Sequence, residues 1–363
     1  MGGTLTLAHT LKRIFRTYGY ADSRFSPSLK ESDPTYRWAV AANRLDDGRY
    51  PVIWTSMTNY ALLGAAKYVG RHFAMRPALF LVWFTCSMRR AALVHRTLTA
   101  LAIYRRAFPE HRFVFLCNEE EERAAFVSAG MDAVVCSQNA FADEAIYRPV
   151  PGVARAYDAL YNGSMTTQKR RHLARLVPKA AHIFGEVAAF GKTETLALLA
   201  EMRRLMPGHD FLNPIDGDAI AKLSRPEVNM ALAESATGLC LSQHEGAMFA
   251  SIEYLLAGLP VVSTPSTGGR HIFGSPETWL TVADTPEAVR DGVSEMKART
   301  VPPDRVRDIT LVKIFEHRAR LRETVLVHTG GAVDLPAGYG DVLYRSINNW
   351  IDGPTMVERI VRI

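Results

Sequence analysis

No apolar run in this 363-residue sequence is long enough to span a bilayer. The longest, such as residues 77–86, reach about 10 residues where a membrane helix needs ~20. Cysteine is equally sparse. Cys86, Cys117, Cys136 and Cys240 stand singly, mostly at the ends of apolar runs, without CxxC or metal-ligand spacing. That excludes a disulfide-stapled or zinc-ribbon domain and predicts reduced, buried strand residues. Low-complexity tracts are absent too, and 48% hydrophobic with 22% charged residues is a globular composition. The opening MGGTLTLAHTLKRIFRTYGY places its basic residues after the apolar stretch, the reverse of a secretory signal, so the expected location is cytoplasmic.

What the chain has in excess is positive charge, +6 with a pI near 9.1. This suits an anionic partner: nucleic acid, a membrane surface or a diphosphate ligand. The basic residues are scattered without a DNA- or RNA-binding motif, so no nucleic-acid partner is expected. The amphipathic segment 5–18, with Lys12, Arg13 and Arg16 against Leu7, Leu11, Ile14 and Phe15, fits a helix docked on the first domain or one lying peripherally on a membrane.

A chain of this length fits two domains. Short β-rich runs alternate with helical patterns, the signature of parallel sheets covered by helices. Strands are expected over 52–55, 78–84, 112–117 and 133–136, with helices over 87–108 and 119–129. The acidic run 119–122 sits at a helix start, where the dipole accommodates it. Two prolines and a glycine in Tyr147-Arg-Pro-Val-Pro-Gly152 then break the pattern, placing a domain boundary at 152/153. A second series follows, with strands over 156–161, 181–185, 210–212, 237–241, 260–264 and 279–282. Its helices are expected over 169–177, 192–205, 225–235, 248–257, 286–299 and 303–325. The predicted architecture is α/β: two Rossmann-like, doubly wound domains, 1–152 and 153–325, facing a central cleft, and a helical tail, 326–363, packing back on the first.

The informative stretch is 239–270. It reads as a strand, a polar loop (Ser242-Gln-His-Glu-Gly246), a helix, a Gly-Leu-Pro turn, a strand and a second loop (Thr267-Gly-Gly269). In an open parallel sheet, ligands sit at the carboxyl ends of the strands, where helix N-termini present backbone N–H groups. The amides of Gly246, Ala247 and Met248 would face a diphosphate, and Gly268 and Gly269 would supply a second such surface. Glu245 precedes the helix and Glu253 lies eight residues on, a rise of about 12 Å. That is roughly the span from a sugar across a pyrophosphate to a ribose, and a carboxylate is a good bidentate acceptor for vicinal hydroxyls. Carboxylates beside a diphosphate need nearby cations, for which Lys169, Arg170 and Arg171 are the first candidates; His244, abutting Glu245, is a further contact candidate.

The frame LSxxEG…EYLLAGLPVVST…GG resembles the C-terminal domain signature of retaining GT-B glycosyltransferases, especially the family 4 group. The match runs from about Tyr157 to Asp284. It implies that Glu245 contacts the transferred sugar, that Glu253 grips the ribose and that Lys169 reaches the diphosphate. It also implies that residues around Phe211 to Asn213 meet the base, and that the 137–141 junction is a hinge. The Arg usual five residues before that Lys is replaced by Ser164, so either Arg170 or Arg171 compensates or phosphate binding is weaker. The first domain would bind a hydroxyl acceptor, with Thr55, Ser56, Thr85 and Asn118 as strand-end candidates; the family's opening strand before a Gly-Gly loop has no counterpart before Gly2-Gly3.

Blander roles stand beside these. Glu245 as a solvated helix-start acid, Lys169 as part of a basic turn and the Gly268-Gly269 pair as a tight turn are each ordinary features. Asp216-Gly-Asp218 imitates a metal motif but reads as a turn, so no metal or other cofactor is expected. The implied activity is transfer of a hexose-type sugar from a nucleotide-sugar donor to an acceptor hydroxyl, with retention. A nucleotide-sugar epimerase and a non-catalytic sugar-nucleotide or polysaccharide-binding protein are the rival classes.

Overall fold

The structure, a computed structural model, describes residues 25–362 apart from 47, 49, 59, 60, 186–190, 337, 338, 348 and 349. The amphipathic segment 5–18 and the Gly2-Gly3 pair lie outside the described residues. The chain divides into two compact units, one formed by residues up to 141 with those from 317 onward, the other by 142–316. The seam at 141/142, rather than 152/153, has a local cause. Arg307 donates to the carbonyls of Tyr147 (2.6 Å) and Glu144 (2.8 Å), and the backbone of Arg148 exchanges two hydrogen bonds with the Asn229 amide, at 3.1 and 3.0 Å. The proline-rich break is therefore a turn inside the second unit. The other seam, at 316/317 rather than 325/326, falls within one helix, Pro303–His328.

In the first unit β1 (Val40–Arg44), β2 (Val52–Met57), β3 (Ala78–Phe84), β4 (His111–Cys117) and β5 (Ala133–Val135) lie side by side in that order. β2 to β5 are parallel, with α1 (Ala91–Ala107) joining β3 to β4 and α2 (Glu120–Ser128) joining β4 to β5. Strands covered on both faces need continuous apolar sequence, and β2 and β3 are buried along their whole length. β1 runs antiparallel to β2, and the C-terminal strand Trp350–Ile351 adds antiparallel to β1. Val-Ala-Ala-Asn-Arg has few β-formers; it is held by neighbours, with Ser56 Oγ accepting the Ala41 N–H (2.9 Å) and Thr55 Oγ1 donating to the Ala41 carbonyl (3.1 Å).

The acidic run at α2 does more than face the helix dipole. Glu122 is fully buried and accepts the backbone N–H groups of Met88 (2.7 Å) and Asn118 (2.9 Å), and burial pushes its carboxyl up to about 7.

The second unit contains β6 (Ala159–Asn162), β7 (Ala180–Ile183), β8 (Asp210–Phe211), a small ribbon of β9 (Ile215–Asp216) and β10 (Ala219–Ile220), then β11 (Gly238–Cys240), β12 (Val261–Ser263) and β13 (Trp279–Thr281). Six of these form one parallel sheet in the order β13-β12-β11-β6-β7-β8. Winding runs outward in one direction from β6 and in the other from β11. The switch point, where the loops leaving β6 and β11 diverge, is the ligand position of a doubly wound sheet. The helices are α3 (Lys192–Leu205), α4 (Arg225–Ala233), α5 (Phe249–Leu256), α6 (Pro286–Ala298) and α7 (Pro303–His328). Where a helix is expected over 169–177 there are instead two 3-10 turns, Thr167–Lys169 and Arg171–Ala174, broken by Arg170 at a left-handed φ of 49°.

A buried hydrogen-bond chain braces this region. Arg171 donates to Nδ1 of His182 (3.1 Å), Nε2 of His182 to Nδ1 of His209 (3.0 Å), and Nε2 of His209 to the Val177 carbonyl (2.8 Å). That order of donors requires both imidazoles to be neutral. Burial lowers both pKa values, and the Arg171 charge adds to the effect at His182. Groups depressed below an ordinary value near 6.5 take up protons in the unfolded chain first, so their contribution is present above that pH and is lost below it. The melting temperature should accordingly fall between pH 7.5 and 5.5. The His182→Gln, His209→Gln double variant, although less stable, should lose less over the same interval in a calorimetric pH series; an equal loss would refute the assignment.

Candidate functional site

The switch point is built from two loops. β6 ends at Asn162, where the Tyr254 hydroxyl accepts its N–H (2.6 Å), and the chain turns through Gly163 and Ser164 to Lys169. β11 ends at Cys240, and residues 241–248 lead into α5. Lys169 Nζ and Glu245 Oε1 form an ion pair, with side chains 18% and 14% exposed, so each remains reachable from solvent. Glu253, on α5, accepts a hydrogen bond from Asn162 Nδ2 (3.1 Å) and one from the Tyr147 hydroxyl. Burial raises its pKa, opposed by those two donors. The β6 exit loop thus touches both carboxylates, bringing Lys169, Glu245 and Glu253 into one neighbourhood.

The second loop is laid against the first. The Glu245 N–H bonds to the Thr267 carbonyl and the Thr267 N–H to the Gln243 carbonyl, both at 3.1 Å, and the exposed His244 places Nδ1 3.0 Å from Thr267 Oγ1. Gly268 has φ +96°, and a Cβ there would collide with the carbonyl oxygens of Glu245 and Gly246. Its role on view is this close approach. Gly269 is buried, and its carbonyl accepts the Ile272 N–H (3.3 Å). Gly246, Ala247 and Met248 are buried in the turn before α5, which begins one residue later than expected, at Phe249. Met248 takes a left-handed φ of 50°, a strained conformation costing on the order of 1 kcal/mol or more for a residue with a side chain.

The arginines expected at the diphosphate are engaged elsewhere. Arg170 donates from Nε to the Leu241 carbonyl (2.6 Å), from one terminal nitrogen to Thr264 Oγ1 (2.8 Å), and from both to the Asp284 carboxylate (2.9 and 3.1 Å). Arg171 is buried, donating to the carbonyls of Tyr161 (3.3 Å), Ile183 (2.9 Å) and Gly163 and lying 4.7 Å over the Tyr161 ring. Sequence reasoning missed a third. Arg270, 1% exposed, donates to Ser242 (carbonyl 2.8 Å, Oγ 2.9 Å), the Thr264 carbonyl (2.6 Å) and Ser263 Oγ (3.0 Å). Its signal was available: a lone arginine directly after Gly-Gly in an otherwise apolar and small-residue loop. Burial lowers the pKa of Arg171 and Arg270, yet guanidinium stays charged at any ordinary pH. Both sit among carbonyls and hydroxyls, so positive potential lies beneath the two loops.

Other candidate residues have partners within their own units. Asn213 accepts the Phe184 N–H (2.8 Å) and donates to the Ala221 carbonyl (2.9 Å), bracing the end of β7 with its amide. Asp216 and Asp218 flank the β9–β10 turn, Asp218 pairing with Lys192 at 2.9 Å. Among the described residues no three His, Cys, Asp or Glu side chains cluster as metal ligands. In the first unit, Thr85 donates to the Met57 carbonyl (3.2 Å), while Asn118 donates to the Phe84 carbonyl (3.2 Å) and accepts from Ser137. With Thr55 and Ser56, these strand-end groups are bound internally. Two cavities of about 300 and 360 Å³ flank Arg155, the first lined by Leu259 and the second by Ala236 and Pro260, residues that precede the strands, and so lie at the amino ends of the sheet.

No protein-family profile and no curated protein matches this chain in sequence. Solved structures match its fold. HepE from Anabaena in complex with UDP is 15% identical, covers 76% of this chain and 78% of its own, and gives a TM-score of 0.54. HepE in complex with UDP-glucose gives 16%, the same coverage and 0.53. Sucrose-phosphate synthase from Thermosynechococcus elongatus is 14% identical, covers 77% of this chain and 72% of its own, and gives 0.51. The fold is that of the GT-B glycosyltransferases, two Rossmann-like α/β units.

Adjacent cations here have opposite characters, and this separates them experimentally. Arg170→Ala removes bonds that join three strand ends and should destabilise the protein by on the order of 2 to 3 kcal/mol. Lys169→Ala leaves both loop tips open to water and should cost no more than about 1 kcal/mol. Chemical denaturation measures both, and the reverse order would contradict the assignment.

Proposed function

We propose that this protein is a retaining glycosyltransferase that moves a hexose-type sugar from a nucleoside-diphosphate sugar to an acceptor hydroxyl. The observation that carries the reading is the convergence of Lys169, Glu245 and Glu253 on the switch point of a GT-B unit. The HepE complexes with UDP and UDP-glucose lend support, since a protein of this fold holds such a ligand.

In the transition state the transferred sugar becomes oxocarbenium-like and negative charge gathers on the leaving diphosphate. Stabilising that charge is the main catalytic term. Lys169 supplies a direct cation once the diphosphate displaces or bridges its pairing with Glu245, and Arg171 and Arg270 contribute through space from behind the loops. The reading assigns the cationic work to these side chains and invokes no metal. Glu245 orients the sugar, Glu253 holds the ribose, and the leaving phosphate takes the acceptor proton. A cytoplasmic location agrees with four free thiols, three of them buried. No helix among the described residues is long and apolar enough to cross a membrane, and peripheral contact with one remains part of the reading.

A thermal-shift screen against nucleoside diphosphates and their sugars tests this without knowledge of the acceptor, because a ligand selective for the native state adds RT ln(1 + [L]/Kd) of stability, roughly 2.7 kcal/mol at a hundredfold excess over Kd. We expect a diphosphate to stabilise the protein and Glu253→Ala to weaken that binding by about 1 to 3 kcal/mol; unchanged affinity in a folded variant would sink the ribose role. Lys169→Ala should abolish turnover with the fold intact. Product analysis on donor alone separates the rival classes: interconverted nucleotide sugars would point to an epimerase, and binding without any turnover to a non-catalytic module.

A further inference from the structure

Glu253 is held from two directions by residues outside its own helix. Asn162 is the last residue of β6; its backbone N–H is capped by the Tyr254 hydroxyl, and its Nδ2 donates to Glu253 Oε2 at 3.1 Å. Tyr147 is buried, its carbonyl fixed by Arg307 at 2.6 Å, and its hydroxyl donates to the same carboxylate. An ionised carboxylate has about four acceptor positions, so two remain for a ligand. Two anchored donors restrict the carboxylate to one plane, and the orientation of the free lone pairs then follows. Aspartate at 162 would repel Glu253, and alanine would leave it a single anchor.

We propose that Asn162 and Tyr147 are positioning residues that orient Glu253 toward a vicinal diol, and so make the site selective for ribonucleotides over nucleotides lacking ribose hydroxyls. The inference rests on the nucleotide-sugar reading of this site. The side chains of Asn162 and Tyr147 act through Glu253, and contacts with the phosphates belong to other residues.

The test compares dissociation constants of UDP and 2′,3′-dideoxy-UDP for the wild-type protein, Asn162→Ala, Asn162→Asp and Tyr147→Phe. Wild type should prefer UDP by roughly 5- to 150-fold, the range of a well-made hydrogen-bond pair. In Asn162→Ala and Asn162→Asp the preference should fall below about threefold, with Tyr147→Phe intermediate, while affinity for the dideoxy compound stays within about twofold of wild type. A merely structural role would lower both affinities together and keep the ratio. A wild-type preference retained in the folded Asn162 variants overturns the positioning role, as does wild-type binding of both compounds with equal affinity. If neither UDP nor any other nucleoside diphosphate binds, the nucleotide-sugar reading itself fails.

Discussion

A parallel sheet that reverses its winding leaves a row of strand-end carbonyls facing the place where a ligand must enter. Those carbonyls need donors, and in the second unit three arginines provide them. Arg171 joins the ends of β6 and β7, Arg170 joins the β11 and β12 exits to Asp284, and Arg270 joins the same two exits from below. The geometry of Lys169, Glu245 and Glu253 depends on this lattice, because each of the three sits on a loop or helix that begins at a clamped strand end. Rigid strand ends place functional side chains more accurately than free loops do.

The same lattice answers an electrostatic difficulty. A site with two carboxylates beside an expected diphosphate needs positive charge, and the residue where an arginine would be expected is Ser164. Lys169, the cation at the surface of the site, is paired with Glu245. Arg171 and Arg270 have hydrogen-bond partners that are carbonyls, hydroxyls and a neutral imidazole, so their charges are hydrogen-bonded without being neutralised by an acid in contact. Buried charges act at longer range than exposed ones because water screens them less. The neutral state of His182 matters for the same reason: a proton there would place a second positive charge beside Arg171.

Much of this was legible in the residues. Continuous apolar runs announced β2, β3, β11 and β12, and the strand, loop and helix around Glu245 could be placed to within a residue or two. The spacing of Glu245 and Glu253 put one just before a helix and the other within it, where the structure has them, and Lys169, singled out beside them, is the member of its cluster that pairs with Glu245. Other features were illegible for physical reasons. Trp350–Ile351 is a strand through a partner some three hundred residues away, and β1 is one through its pairing with β2 and the Thr55 and Ser56 side chains, relations that local propensity does not encode. Lys169, Arg170 and Arg171 are consecutive cations of similar appearance; the left-handed turn at Arg170 separates them, Lys169 reaching Glu245, Arg170 reaching Leu241, Thr264 and Asp284, and Arg171 alone being buried. The resemblance put Asn213 near a base, but it could not show that the side chain is bound to the Phe184 N–H and the Ala221 carbonyl, because backbone groups at strand ends claim nearby amides. Asn162 carried no signal until its partner on α5 was seen.

The central claim is that the switch point between β6 and β11 is where an anionic nucleotide sits. Amide hydrogen exchange with and without a nucleoside diphosphate localises that binding most directly. The account predicts slowed exchange in peptides covering 162–170 and 243–254, with little change at 149–155 and 296–303, where the two cavities lie at the other end of the strands. Protection confined to the cavity peptides, or absent from both loops under saturating ligand, would contradict it.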